Sequence, residues 1–210
     1  MRWSCLNYDE HMSRGQERVI DRTLVDATAA AIARWGLGEV TLDRIANEAG
    51  MSRATIYRRG VTRDELVAAL TLEAADTYRR AILPALAQSG TARERLRAAL
   101  EALCDTADDH LHLLAGMFLA HGEVFHQPGP DALVVDVFAE PIERLLRDGA
   151  VDGSLRDLPP EVTATVLFNL VGWGYIHLRA AHEWKPGATR SAIIDLVMAG
   201  VQNRDRKDET

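Results

Sequence analysis

Apolar residues recur at helical spacing along almost the whole chain, and the breaks fall on glycine, proline or a capping hydroxyl. Val19, Ile20, Leu24, Ala27, Ala31 and Ile32 mark one face of a helix over about 16–35, with Gly36 and Gly38 as its stop. Thr41 caps a short helix, Leu42 to Ala49, that ends at Gly50; Ser52 caps another, Arg53 to about Arg59, ended by Gly60. Thr62 with Glu65, and Thr91 with Glu94, have capping-box spacing and open helices over about 62–83, stopped by Pro84, and about 91–107. Further helices are predicted over 110–123, from Val134 through Pro141 to the turn at Asp152-Gly153, from Pro159-Pro160 to about 183, and from Ala188 to about Gln202. No alternating β-branched run bounded by hairpin turns occurs. The pattern predicts an all-α protein of about nine helices without internal repeats.

The 210 residues, 47% hydrophobic and 26% charged, suit one large domain or a small domain joined to a larger one. Cys5 and Cys104 make neither a disulfide framework nor a Cys-x-x-Cys site, which fits a reducing cytoplasm. The first residues lack the apolar centre of a signal peptide, and no run of about 18 uncharged apolar residues follows. A cytoplasmic chain with no membrane span is expected. Met12 offers a second start, so residues 1–11 read as an extension.

The net charge of −7 argues against a polyanionic partner until its distribution is examined. Residues 1–70 carry 10 Arg against 10 acids, while residues 71–210 carry 14 basic and 21 acidic side chains. Arg53, Arg58, Arg59 and Arg63 fall in the acid-free segment 51–63, so the positive charge is local. The two short helices joined by Ala49-Gly50-Met51-Ser52 have the layout of a helix-turn-helix. Ile45, Ala46, Ala49, Met51 and Ile56 take the inward positions, and Ser52, Arg53, Thr55, Arg58 and Arg59 offer donors to phosphate and base edges. Thr41 and Ser52 stand at helix N-termini, which favour phosphate, and Arg14 lies in the arm before the first helix, within reach of a groove.

Residues 24–66, LVDATAAAIARWGLGEVTLDRIANEAGMSRATIYRRGVTRDEL, resemble the N-terminal domain of the TetR family of transcriptional regulators. The likeness rests on Asp26-Ala27, Gly36, Thr41, Ile45-Ala46, Ala49-Gly50, Ser52, Thr55, Tyr57 and Asp64-Glu65-Leu66. It implies that Ser52, Arg53, Thr55, Tyr57 and Arg58 lie at an operator, with Thr41, Arg44 and Arg63 near phosphates. Tyr57 has a second reading, with its ring packed on the first helix. Where the family often continues Tyr57 with a polar residue, an aromatic and Phe, this chain has Arg58-Arg59-Gly60. The expected organisation is an arm (1–13), a helix-turn-helix domain (14–60), a helical ligand-binding and dimerisation domain (61–203) and a charged tail (204–210).

The last two long helices carry Val162, Val166, Leu170, Gly174 and Leu178, then Ile193, Ile194, Val197, Met198 and Val201. That apolar surface suits a four-helix bundle between two copies, and the resemblance implies the same homodimer. Two recognition helices about 34–36 Å apart would then read a palindromic operator in double-stranded DNA. Tyr78, His110, Met117, Phe118, His121, Phe138, Phe168, Asn169, Trp173 and His177 are the candidate lining of a pocket for a small hydrophobic effector, each competing with a plain core role. The histidines have no metal-ligand spacing, and no nucleophile, glycine-rich loop or paired carboxylates accompany the pocket acids. No metal, cofactor or catalysis is expected. The leading reading is a ligand-responsive repressor; a helical ligand- or partner-binding module that has lost specific DNA reading is the alternative.

Overall fold

Capping side chains set where the helices begin in the computed structural model, which describes residues 20–120 and 133–203, with side chains over 20–117 and 138–203. Asp21 accepts from the Leu24 amide and starts α1 (Arg22–Trp35); Thr41 and Ser52 do the same for α2 (Leu42–Glu48) and α3 (Arg53–Arg58). Complete capping boxes at Thr62/Glu65 and Thr91/Glu94 open α4 (Arg63–Ala87) and α5 (Ala92–Asp109). Leu111–Ala120 forms α6 and Leu133–Asp152 forms α7. Pro160–Phe168 continues through a π turn, Asn169–Trp173, into Gly174–Ala180, one rod numbered α8; Pro186–Val201 is α9. The described residues thus hold nine helices and no strand.

Several boundaries differ from the periodicity, each for a local reason. Residues 20 and 21 are extended or irregular because Asp21 takes the cap, so α1 starts later than expected. Pro84 sits inside α4 rather than ending it: proline forfeits only its own backbone bond, the next turn brings Ala85 into the core, and the Gln88 amide bonds the Pro84 carbonyl. The rod α8 ends at Ala180, short of 183, and α9 begins at Pro186, ahead of 188, where a missing N–H costs nothing.

Two apolar clusters organise the packing. Leu24, Ala31, Ile32, Ile45, Ala46, Ile56, Leu66 and Leu70 form the first, joined by Leu113 and Met117 from α6. The second gathers Tyr78, Leu96, Leu100, Cys104, Ile142, Leu145, Leu167, Val171, Tyr175, Ile194 and Met198. Each fully buried large side chain contributes about 1.5–3 kcal/mol of transfer free energy. Helix α4 feeds both clusters, and Leu114 of α6 packs against both. The Tyr175 hydroxyl donates to Asp108 at 2.6 Å and Arg179 Nε donates to the same carboxylate at 2.8 Å, tying α8 to α5.

Helix α6 meets the α1–α2 loop so closely that a Cβ on Gly116 would lie 2.5 Å from Leu37 Cβ. Alanine normally improves a helix over glycine by about 0.8–1 kcal/mol; here overpacking of about 1–3 kcal/mol opposes it. Gly116→Ala is therefore expected to lower stability in urea unfolding, whereas a gain would show that the loop yields.

Candidate nucleic-acid interface and internal cavity

The turn between α2 and α3 is made by Gly50 at φ +64°, a left-handed conformation that suits glycine, and the Met51 amide bonds back to Ala46. Ile45, Ala46 and Ile56 are fully buried beneath the motif. Ser52, Arg53, Ala54, Tyr57 and Arg58 are exposed on the outside of α3, with Thr55 partly covered. Ser52 Oγ caps the Thr55 amide at 3.1 Å and lies 2.9 Å from Thr55 Oγ1, which fixes both hydroxyls. Tyr57 is 60% exposed, so its ring is turned to solvent instead of packing on α1. Ala54, which the sequence reading passed over, adds a methyl of the kind that meets thymine.

The arginines divide into two groups. Arg53 reaches the Asp43 carboxylate at 3.1 Å while its side chain stays 75% exposed, an arrangement worth about 0–1 kcal/mol that a phosphate or base can displace. Arg58 is exposed and has no ion pair among the described residues. The others are occupied within the fold. Arg59 bonds the α1 cap residue Asp21 at 2.7 Å. Arg63 donates to the Leu37 carbonyl at 2.6 Å and the Val40 carbonyl at 3.0 Å, clamping the α1–α2 loop to the start of α4. Arg44 donates to the Glu39 carbonyl and lies over the Trp35 ring at 5.2 Å. Arg44, Arg59 and Arg63, expected near phosphates, thus have their guanidinium groups bonded within the motif in this structure. Thr41, exposed, caps the Arg44 amide at 3.3 Å. Arg14 lies outside the described residues.

Between α4, α5, α6, α7 and α8 is a cavity of about 160 Å³ whose walls include Met117, Phe138, Phe168 and Trp173. Tyr78 stands behind it, fully buried, stacked on Phe138 at 4.8 Å with its hydroxyl donating to the Phe138 carbonyl at 3.3 Å. Burial pushes that phenol's pKa upward, so it stays protonated. Three expected liners lie elsewhere. His110 caps the end of α5, where burial lowers its pKa; Asn169 donates to the Thr165 carbonyl at 2.8 Å; His177 is exposed, edge-on to His182 at 5.0 Å. Phe118 and His121 fall outside the described side chains. The sequence reading missed the small residues that leave the space, Ala75, Ala107 and Gly172, and the polar wall residues Thr71, Thr106 and Arg79.

On the far side of α8, Val162, Val166 and Leu170 are 63%, 48% and 56% exposed, and Leu196 of α9 is 75% exposed. Gly174, Leu178, Ile193 and Val197 are partly covered. Ile194, Met198 and Val201 point the other way, into the second core cluster, and are corrected from surface to interior. Among the described residues no helix is long and apolar enough to cross a membrane, and no three His, Cys, Asp or Glu side chains converge as a metal site.

The model of the bacterial regulatory proteins of the tetR family matches residues 24–70. No curated protein matches the chain. Among solved structures, the chain is similar to the TetR-family transcriptional regulator PfmR from Thermus thermophilus, with 20% identity over 85% of this chain and 98% of that one, at a TM-score of 0.69. The ketosteroid transcriptional regulator KstR2 of Mycobacterium tuberculosis shares 18% identity over 92% and 100%, with a TM-score of 0.67. The fatty acid degradation regulator FadR from Bacillus halodurans shares 18% over 85% and 97%, with a TM-score of 0.66. At these identities the structures speak for the fold.

The Arg59 guanidinium, with the Leu24 amide, holds the Asp21 carboxyl below the usual range. A depressed folded pKa stabilises above the unfolded value, near pH 3.9, and that stability is lost as pH falls through the folded value. Asp21→Asn should lower the urea midpoint at pH 7, with the gap to the parent protein narrowing progressively below about pH 4. A gap independent of pH would mean that the cap, not the charge, matters.

Proposed function

We propose that the chain, whose residues 24–70 match the tetR-family model, is a regulator of that family: a homodimeric repressor released from a palindromic operator by a small apolar effector. Its helix-turn-helix makes it a DNA-binding regulator; repression, dimerisation and effector control are our inference. The observation that carries the reading is the contrast on α3. Arg53, Tyr57 and Arg58 are exposed together on the face of a helix whose opposite side is sealed by Ile56. Arg53, near the N-terminus of α3, is assigned to base edges, with Ser52 and Thr55 beside it; Tyr57 and Arg58 are assigned to the backbone. The cavity is assigned to the effector, since it abuts α6, whose neighbouring residues Leu113 and Gly116 pack on the helix-turn-helix side. A ligand shifts DNA binding only through different affinities for two conformers.

The binding assay is a gel-shift titration against the DNA upstream of the chain's own gene at two salt concentrations. Arg53→Ala is expected to cost about 1–3 kcal/mol on the specific site and to relax preference there. Arg58→Ala should flatten the salt slope by about 0.9. Both should leave the melting temperature unchanged, whereas Arg63→Ala lowers it because two loop carbonyls lose their donor. Equal loss on specific and scrambled DNA for Arg53→Ala would contradict the division, and no specific retardation by the parent protein would favour the binding-module alternative.

Val162, Val166 and Leu170 on α8 and Leu196 on α9 leave an apolar face that a twofold partner would cover, giving a four-helix bundle. Leu170→Glu combined with Leu196→Glu is expected to give a monomer by light scattering with unchanged helicity. Operator affinity should fall about 10²-fold or more as two linked sites become separate. A monomeric parent protein would remove the dimer from the account.

A further inference from the structure

The wall of the cavity constrains the chemistry of its occupant. Thr71 and Thr106 are the hydroxyl residues on it, and both donate to carbonyls of their own helices, Thr71 to Val67 and Thr106 to Ala102, each at 2.9 Å. Arg79, at the edge of the wall, is ion-paired with Asp76 one turn earlier on α4. Tyr78, behind Phe138, has its hydroxyl committed to the Phe138 carbonyl. Thr71, Thr106, Arg79 and Tyr78 are each engaged within the protein. What remains is aliphatic and aromatic: Leu103, Leu114, Met117, Phe138, Phe168 and Trp173.

Size and access narrow the class further. A volume of about 160 Å³ is close to that of apolar protein cavities which stay dry and accept a single benzene ring. Leu72 lines the cavity while 51% exposed, so the space opens along α4. The π turn at Asn169–Trp173 forms one wall through Gly172 and Trp173, and such turns recur at functional sites. A carboxylate buried here would lose its hydration, and one at the edge would have to displace the exposed Arg79–Asp76 pair.

We propose that the cavity binds an uncharged, hydrocarbon-like molecule about the size of one substituted aromatic ring, selected by shape and apolar contact. This rests on the reading of the cavity as the effector site and names the class of ligand it takes.

Gly172 supplies the variant. A Cβ there would lie 3.8 Å from Leu103 Cδ2 and 3.9 Å from Phe168 Cε2, ordinary contacts, so Gly172→Ala fits the fold while placing a methyl on the cavity wall. Gly187, with open space around it at the start of α9, gives a control that changes helix propensity away from the cavity. The full-length protein is titrated with toluene and, separately, with benzoate, which keeps the ring and adds a charge. Thermal unfolding and calorimetry are the readouts. Toluene should raise the melting temperature with concentration, and benzoate should not. Gly172→Ala should keep or raise the ligand-free melting temperature while weakening toluene at least tenfold; Gly187→Ala should leave toluene affinity within twofold.

Tighter binding of benzoate than toluene, no binding of toluene, or full toluene affinity in Gly172→Ala would overturn the proposal. The same ligands added to the gel shift separate it from the wider reading. Toluene that binds without altering retardation supports the ligand class and removes effector control. Benzoate that binds in preference to toluene and releases DNA overturns the class and keeps effector control.

Discussion

Two helices of seven and six residues are too short to persist on their own in water, so the DNA-facing surface depends on what lies beneath it. Ile45, Ala46 and Ile56 are completely buried in the cluster that also holds Leu24, Leu66 and Leu113. That burial fixes the backs of α2 and α3, and only then can their fronts present side chains in one geometry. The polar fastenings act at the same place. Arg59 ties the end of α3 to the start of α1, and Arg63 ties the loop before α2 to the start of α4. Of the cationic side chains in this segment, Arg59 and Arg63 brace the motif, while Arg53 and Arg58 stay exposed.

The same cluster joins the motif to the larger helical part. Met117 belongs to the N-terminal core and also to the cavity wall, while Leu114 packs against both cores and lines the cavity. One turn of α6 therefore has the cavity on one side and the α1–α2 loop on the other, with Gly116 allowing Leu37 to approach. A change in cavity occupancy has no thick layer of protein to cross before it reaches the helix-turn-helix. Acidic residues, which outnumber basic ones beyond residue 70, keep the rest of the molecule from competing for phosphate.

What could be read from the sequence was mostly local. Thr41, Ser52, Thr62 and Thr91 announce their helices because a cap and its partner lie three residues apart. The helix-turn-helix is similarly contained in a short segment. The roles of Arg59 and Arg63 were hidden because their partners lie 38 residues away for one and 26 and 23 for the other; an arginine bonded to a distant carbonyl looks the same in sequence as one waiting for phosphate. Helix α9 is apolar on several sides, so nothing in its pattern separates Ile194 and Met198, which face inward, from Leu196, which faces out. The aromatic walls of the cavity stood out, but its space comes from Ala75, Ala107 and Gly172, small residues that carry no signal until the helices are assembled.

The central claim is that a sealed, short helix presents a fixed set of donors twice, related by a twofold axis. Selecting DNA bound by the full-length protein from a random pool tests it most directly. The account expects enrichment of an inverted repeat whose half-sites lie about one helical turn, or a multiple of it, apart. Enrichment of a single unrepeated site would contradict the paired presentation, and no enrichment over the starting pool would contradict the reading of α3 itself.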